Sequence, residues 1–305
     1  MQFGGPCCSP DAPSWERKHA ITEAFEIEYS RFRLIADELA LIVQRNIPEG
    51  EYRAIISSNR NGRTRLAKSV LKRFPLNYNV LGDATIVPVV YTKVPVVSSI
   101  GEFAMRVLRK LGQSFNDRSS TTSLLSSAFA SCATMETRAI IVDDFQRLHV
   151  GMHRAREGIF NIIRDLGEEH KISVFAFWDP TAAEIISNVN QLSGVFEYRT
   201  LDRWKHDEEF MRLVITIENR LPLRDISNMA DNHELMDEII RITDGVLGHI
   251  VRLIHDCAFV AMDTGRERID MKTFSQRTWL PPAERQQDTL NRIEARPREL
   301  IPPRS

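Results

Sequence analysis

The feature that most constrains the fold is an alternation of strand and helix patterns through the first two thirds of the chain. Short apolar runs predict strands at 52–57, 85–92, 137–143 and 172–178. The stretches beside them predict helices at 63–73, 99–112, 155–169 and 180–188, and a further helix opening at the Ser/Thr-rich segment 119–123. Buried strands separated by helices are typical of a parallel sheet covered by helices on both faces.

The segments on either side of this alternation are helical or irregular. Helical spacing over 15–44 predicts one or two helices before the first strand, and beyond Leu201 only helix patterns remain, at 206–219, 232–243 and 247–263. We therefore predict four regions. They are a disordered arm over 1–14, an α/β core with N-terminal helices over 15–201, a helical lid over 202–279 and an extended tail over 280–305.

The charge balance limits how the protein can meet nucleic acid. There are 40 Lys and Arg residues against 41 Asp and Glu residues, a net charge of −1. Attraction to nucleic acid must therefore come from a local patch. No apolar stretch approaches the roughly 20 residues of a membrane span, and the N-terminus lacks the pattern of a signal peptide. We expect a cytoplasmic protein without membrane contact.

The segment SSNRNGRT, residues 57–64, has the form of a phosphate-binding loop. The pattern GxxxxGK[ST] between a strand and a helix surrounds a phosphate with backbone N–H groups. Here Gly62 and Thr64 fit the pattern, whereas its first Gly and its Lys are replaced. The candidate nucleotide-binding residues are Ser57, Asn61, Gly62, Arg63, Thr64 and Arg65. A simple turn before a helix explains this stretch equally well.

A second motif, AIIVDD at 139–144, is an apolar strand that ends in two acids, as in the Walker B motif. There the first carboxylate helps to hold Mg²⁺ and the second polarises the attacking water. Asp143, together with Thr64, is thus the candidate Mg²⁺ ligand, and Asp144 is the candidate catalytic residue. Acids also commonly cap strands, but the two motifs together favour a nucleotide-binding fold.

Over roughly residues 45–290 the chain resembles the TniB family, AAA+ ATPase-type regulators carried by transposons and related to TnsC and MuB. The resemblance rests on the two motifs and on five further segments, which are FNIIRDLGEEHKISVFAF, FEYRTLDRW, HDEEFMRLVITIENRLPLR, ITDGVLGHIVRLI and WLPPAERQ. It implies an AAA+ core that binds ATP with Mg²⁺, self-associates into rings or filaments on double-stranded DNA, and recruits or activates a transposase.

The chain departs from this family at the residues that carry its chemistry. Arg63 replaces the loop Lys, and its planar fork is not equivalent to a compact ammonium. Ser57 replaces a Gly, and its Cβ is expected to cost about 1–2 kcal/mol in a loop with positive φ. Asp144 stands where the family has Glu. Trp178-Asp179-Pro180 replaces a polar γ-phosphate sensor, and Gly194-Val195-Phe196 replaces an Asn-Arg-Phe arginine finger.

These departures predict weak or absent ATP binding and little hydrolysis, since an arginine finger alone contributes about 10³ to 10⁵ in rate. An active ATPase and a scaffold that binds no nucleotide remain as alternatives. Arg252 is a candidate nucleotide sensor or an ordinary solvated charge. Lys110 and Arg118, beside the hydroxyl-rich segment, are candidate contacts to DNA phosphates or parts of a mobile polar loop.

Overall fold

The computed structural model describes residues 7–23, 27–45, 48–78, 85–95, 99–149, 153–180, 194–281 and 284–285. Its contacts divide the chain into two units. The α/β unit is Glu28–Arg203, and the helical unit combines Met1–Ile27 with Trp204–Ser305.

The described helices, in chain order, are α1 (Ser14–Glu23), α2 (Ser30–Gln44), α3 (Arg63–Arg73), α4 (Ile100–Lys110), α5 (Thr121–Thr134), α6 (His153–Glu168), α7 (Glu208–Glu218), α8 (His233–Thr243), α9 (Leu247–Asp263) and α10 (Met271–Ser275). The strands are β1 (Tyr52–Ser57), β2 (Asn77–Tyr78), β3 (Thr85–Ile86), β4 (Val89–Lys93), β5 (Ala139–Asp143), β6 (Ser173–Trp178) and β7 (Glu197–Leu201). Short 3₁₀ helices span Phe145–His149 and Met229–Asp231.

A five-stranded parallel sheet in the order β4-β5-β6-β1-β7 forms the centre of the α/β unit. The central strands β5 and β6 are buried along their whole length, as expected where helices cover both faces. Because all five strands run in the same direction, their carboxyl ends meet at one edge. Ligands of parallel α/β sheets bind at this edge.

Side chains of β5 and β6 alternate between two apolar layers. One layer packs with α4, α5 and α6 and contains Ile140, Val142, Val174, Ala176 and Trp178. The intervening residues Ile141, Phe175 and Phe177 are equally buried, and α2 and α3 pack on these strands. The sheet therefore has helices on both faces, as predicted.

On the described residues the predicted elements agree with the structure, except that one strand is divided and that the short elements β2, β7 and α10 were not predicted. The predicted strand 85–92 is divided, because Pro88 has no N–H to donate to a neighbouring strand. Its first part, β3, pairs with β2, whereas β4 joins the main sheet. Strand β7 was not predicted at all. The predicted helix 180–188 lies almost wholly outside the described residues.

The helical unit contains α1 as well as α7 to α10. The reason is a buried ion pair in which Arg17 donates to both carboxylate oxygens of Glu267, at 2.7 and 2.8 Å. The Arg17 hydrogen bonds lower the pKa of Glu267. The amide of Cys7 also donates to the Arg220 carbonyl at 3.0 Å, so the N-terminal segment joins this unit from Cys7 onward. Among the described residues, no helix has the length and apolar character needed to cross a bilayer.

Candidate phosphate-binding site

The loop at residues 58–62 connects β1 to α3 at the carboxyl edge of the sheet. Gly62 precedes α3 with φ 97°, a conformation that favours glycine. Arg60 is exposed and also has a positive φ, of 64°. Ser57 is the last residue of β1 and pairs with Leu201 of β7, so the predicted strain from its Cβ was wrong. The left-handed positions of the loop lie three and five residues later.

Asn61 holds the loop against the segment that follows β7. Its side chain is fully buried, and its Nδ2 donates to the carbonyls of Leu201 and Asp202, at 2.8 and 3.0 Å. The Nε of Arg203 adds a hydrogen bond to the Oγ of Ser58, at 3.2 Å. Asn61 therefore stabilises the loop conformation by donating to backbone carbonyls, and its side-chain amide is not exposed to solvent.

Arg63, at the position of the family's Lys, folds back onto the loop. Its guanidinium donates to the Ser57 carbonyl at 3.1 Å and to the Oδ1 of Asn59 at 3.2 Å. The side chain is 8% exposed, and its Nε has no hydrogen-bond partner among the described residues. The buried Arg63 side chain thus stabilises the loop conformation through hydrogen bonds to residues of the loop and of the strand before it.

Thr64 and Asp143 come together as the two motifs predicted. The Thr64 hydroxyl donates to the Oδ2 of Asp143 at 2.9 Å, and the hydroxyl of Tyr91 donates to the same oxygen at 2.8 Å. The other oxygen of Asp143 accepts from the amide of Asp144. Burial and the hydrogen bond to the Asp143 carboxylate raise the pKa of Tyr91, so its phenol remains a donor.

Asp144 is surrounded by cations. Its Oδ2 accepts from the Nζ of Lys93 at 2.9 Å and lies 3.2 Å from a guanidinium nitrogen of Arg147, while its Oδ1 lies 3.8 Å from Arg63. The residue has φ 57°, a left-handed conformation that Asp tolerates better than most residues. A carboxylate held by several cations is poorly placed to polarise a water molecule.

The positions of the family's sensor and arginine finger are apolar. Trp178 is fully buried, and its ring lies 5.1 Å from Phe145 and 5.7 Å from Phe196, measured between ring centroids. Val195 packs against the same core. Asp179, directly after the strand, is half-buried. Trp178 and Val195 therefore pack in or against the core where the family places phosphate-sensing groups, and Asp179 places a carboxylate beside Trp178.

The remaining predicted site residues are exposed. Arg65 lies on α3, and Lys110 is the last residue of α4. Arg118 lies in the connection between α4 and α5, where its amide donates to the Oδ1 of Asn116. Arg252 is on α9 of the helical unit. Burial and the charge of Arg252 lower the pKa of His255 to about 4.

Three residues of this cluster escaped the sequence motifs: Tyr91, Lys93 and Arg147. The sequence contained a signal for Tyr91 and Lys93, because they lie at the carboxyl end of the predicted strand 85–92. In the parallel register Lys93 pairs with Asp143. Aligning the carboxyl ends of the predicted strands would have found Tyr91 and Lys93. Arg147 lies in a 3₁₀ helix that apolar spacing does not reveal.

The donor set suits a Mg²⁺ ion with phosphates. A hydroxyl and a carboxylate 2.9 Å apart are the oxygen ligands that Mg²⁺ takes from nucleotide-binding proteins. The cations Arg63, Lys93 and Arg147 outnumber the two carboxylates of Asp143 and Asp144. The first amides of α3 also have no intrahelical acceptor. Thr64 and Asp143 are thus the residues that would hold the metal.

Comparisons with known proteins agree with the fold described above. The sequence profile of the family described as Bacterial TniB protein matches residues 17–206. The search of curated proteins gave no significant match. The fold is similar to that of the ORC2 protein of Aeropyrum pernix in ADPNP and ADP complexes, with TM-score 0.59 and 15% identity over 84% of this chain and 70% of that one.

Two further structures contain DNA. Drosophila ORC bound to DNA gives TM-score 0.60 and 11% identity over 90% of this chain and 68% of that chain. The Aeropyrum pernix ORC1 protein in complex with DNA gives TM-score 0.56 and 12% identity over 88% and 69%. At such identities the likeness concerns the fold alone, and it confirms the predicted AAA+ architecture.

Proposed function

The chain belongs to the TniB family, as its sequence predicted, and from this premise we propose that it is an AAA+ regulator of DNA transposition that binds ATP with little hydrolysis. Its family and fold make it an ATPase-type protein associated with transposition. The observation that carries the nucleotide proposal is the contact between Thr64 and Asp143, which joins the phosphate loop to the acid pair at 2.9 Å.

Nucleotide binding is supported by the parts of the loop that remain. Gly62 gives the loop its left-handed turn, and the helix that starts after it directs the amides of its first turn and the positive end of its dipole towards the loop. Arg63 and Lys93 add positive charge at the same edge of the sheet. A bound Mg²⁺ would supply charge neutralisation for the phosphates.

Slow hydrolysis follows from the groups that the chain lacks. Asp144 is engaged by Lys93 and Arg147, so its carboxylate is not free to orient a water molecule. At the other two positions Trp178 and Val195 are packed into the core and offer no group to a γ-phosphate. We propose that ATP binding serves the self-association of the protein and that ATP hydrolysis is secondary.

Contact with DNA would come from the connection between α4 and α5. Lys110 and Arg118 are both exposed there, and net charge near zero means that one copy has few phosphate contacts. Self-association into a ring or filament multiplies such contacts without any new interaction. In this proposal the assembled form binds double-stranded DNA and presents a surface to a transposase.

The test measures binding of the full chain to duplex DNA of mixed sequence, with and without ATP and Mg²⁺. We expect the Lys110→Ala, Arg118→Ala double variant to bind all sequences more weakly and to lower the salt slope by about 2 for each copy, since two phosphate contacts are lost. The matched control is Lys68→Ala, Lys171→Ala, which removes two exposed cations of the same unit. Equal effects in both double variants would contradict the placement of the DNA site.

Three outcomes separate the proposal from its alternatives. ATP binding without turnover, even if weak, together with ATP-dependent assembly on DNA, supports it. Turnover of order 1 s⁻¹, at the lower end of typical enzyme rates, would identify an active ATPase instead. Failure to bind both ATP and DNA at low salt would identify a scaffold.

A further inference from the structure

Lys93 is the lysine that the tertiary structure brings to the acid pair. It is the last residue of β4 and pairs in parallel register with Asp143 of β5. Its Nζ lies 2.9 Å from the Oδ2 of Asp144 and 3.9 Å from the Oδ2 of Asp143. The side chain is 41% exposed, so the ammonium has solvent on one side and carboxylates on the other.

Arg63 does not provide the mobile charge that a phosphate loop needs. Its two terminal nitrogens donate to the Ser57 carbonyl and to Asn59, and the side chain is 8% exposed. Moving the guanidinium towards a ligand would break both hydrogen bonds and leave a buried carbonyl without its donor. The position that carries the lysine in the family therefore has a structural role in this chain.

Lys93 has the properties that Arg63 lacks. An ammonium on a flexible four-carbon side chain can change partners with little rearrangement. Asp144 would not be left without a cation, because Arg147 lies 3.2 Å from the same oxygen. The hydroxyl of Thr64 also contacts the carboxylate that Lys93 approaches at 3.9 Å, so Lys93 and the phosphate loop meet at Asp143.

We propose that Lys93 is a phosphate-binding residue that replaces the missing lysine of the loop. In the free protein its ammonium pairs with Asp144, and in the complex it contacts the terminal phosphate of a nucleoside triphosphate. This inference rests on the nucleotide binding proposed above. The cation that contacts the terminal phosphate thus comes from the end of β4, whereas Arg63, at the start of α3, keeps its structural role in the loop.

The first measurement is the affinity for ATP and for ADP, in Mg²⁺ buffer, of the full chain and of Lys93→Met. A charge-assisted contact to the terminal phosphate predicts a loss of about tenfold to a hundredfold for ATP and a smaller loss for ADP. Lys93→Arg should recover most of the affinity. The matched control is Lys171→Met, which removes an exposed cation just before β6, at the opposite end of the sheet.

A second variant distinguishes direct contact from charge neutralisation. If Lys93 binds phosphate, the loss caused by Lys93→Met persists in an Asp144→Asn background and agrees within about twofold with the loss in the wild type. If Lys93 only neutralises Asp144, the loss disappears in that background, and the inference is overturned. Thermal unfolding of each variant verifies that the fold is retained.

The remaining outcomes separate this inference from the proposed function. ATP binding by the wild type that Lys93→Met leaves unchanged overturns the role of Lys93 alone and leaves the nucleotide proposal standing. Equal losses for ATP and ADP overturn the contact with the terminal phosphate. No ATP binding by either the wild type or Asp144→Asn overturns both proposals together.

Discussion

The phosphate-loop end of the sheet and the positions of the sensor and finger have diverged in opposite ways. At the loop end the altered residues are still polar and still contact one another, as Arg63 and Asp144 do at 3.8 Å. At the other positions Trp178 is apolar and fully buried, and Val195 is apolar and packs partly buried against the same core. The first region retains groups that suit phosphate, whereas the second has become part of the core.

This difference determines whether nucleotide binding or hydrolysis can be recovered by mutation. A polar cluster that includes the partly exposed Lys93 and Arg147 can exchange partners, so one substitution can change its affinity for a ligand. A buried aromatic side chain is fixed by the close packing around it, and a polar group in its place would have to be desolvated. Binding should therefore respond to mutation of single residues, whereas hydrolysis should not.

The largest expected effect concerns turnover. We expect the wild type to hydrolyse ATP at least about 10³-fold more slowly than the 1 s⁻¹ typical of slow enzymes, because the finger is absent and Asp144 is engaged. A phosphate-release assay measures this rate, and Asp143→Asn gives the background. Turnover near 1 s⁻¹ that is abolished in Asp144→Ala would contradict the loss of catalytic function that we infer from the sensor and finger positions.

The second expected effect tests whether the sensor position has become structural. Trp178→Ala should lower the free energy of unfolding by about 3–5 kcal/mol, because a fully buried aromatic side chain leaves a cavity. Trp15→Ala is the control, since Trp15 is 72% exposed and should change stability by no more than about 0.5 kcal/mol. Denaturant unfolding measures both, and similar values for the two variants would contradict the packing described for Trp178.

The smallest expected effect concerns the affinity of the phosphate loop for ATP. Arg63→Lys should raise the affinity for ATP, by about tenfold at most, because a compact ammonium no longer fills the loop. Turnover should change less, since the finger acts in the transition state. Titration calorimetry measures the affinity, and Arg138→Lys, an exposed change at the start of β5, is the control. Full turnover in Arg63→Lys alone would show that the loss of the loop Lys limits hydrolysis more than the loss of the arginine finger does.

The sequence pattern was enough to predict those elements whose formation depends mainly on neighbouring residues. The apolar runs of β5 and β6 predicted buried strands, and both are buried throughout. Helices with a side-chain cap began where the sequence indicated, for example α5, where the Oγ of Ser120 accepts from the Ser123 amide. The pairing of Thr64 with Asp143 was also predictable, because each motif carries its own place in the sheet.

Pattern failed where an element depends on a distant partner. Strand β7 is mostly exposed and carries charged side chains, so it lacks the apolar run that predicted the buried strands. It forms because its backbone pairs with β1 along the open edge of the sheet. The division of the predicted strand 85–92 is similar, since Pro88 allowed the two halves to join different sheets.

The parallel sheet, the phosphate loop and the acid pair could therefore be predicted, because apolar periodicity and motif spacing are properties of neighbouring residues. The electrostatics of the site depend instead on contacts between distant parts of the chain. The tertiary structure directs Arg63 into the loop and places Lys93 beside Asp144, although 51 residues separate the two in the chain. The physical reason is that the register between parallel strands sets such contacts, and packing across the whole sheet sets the register.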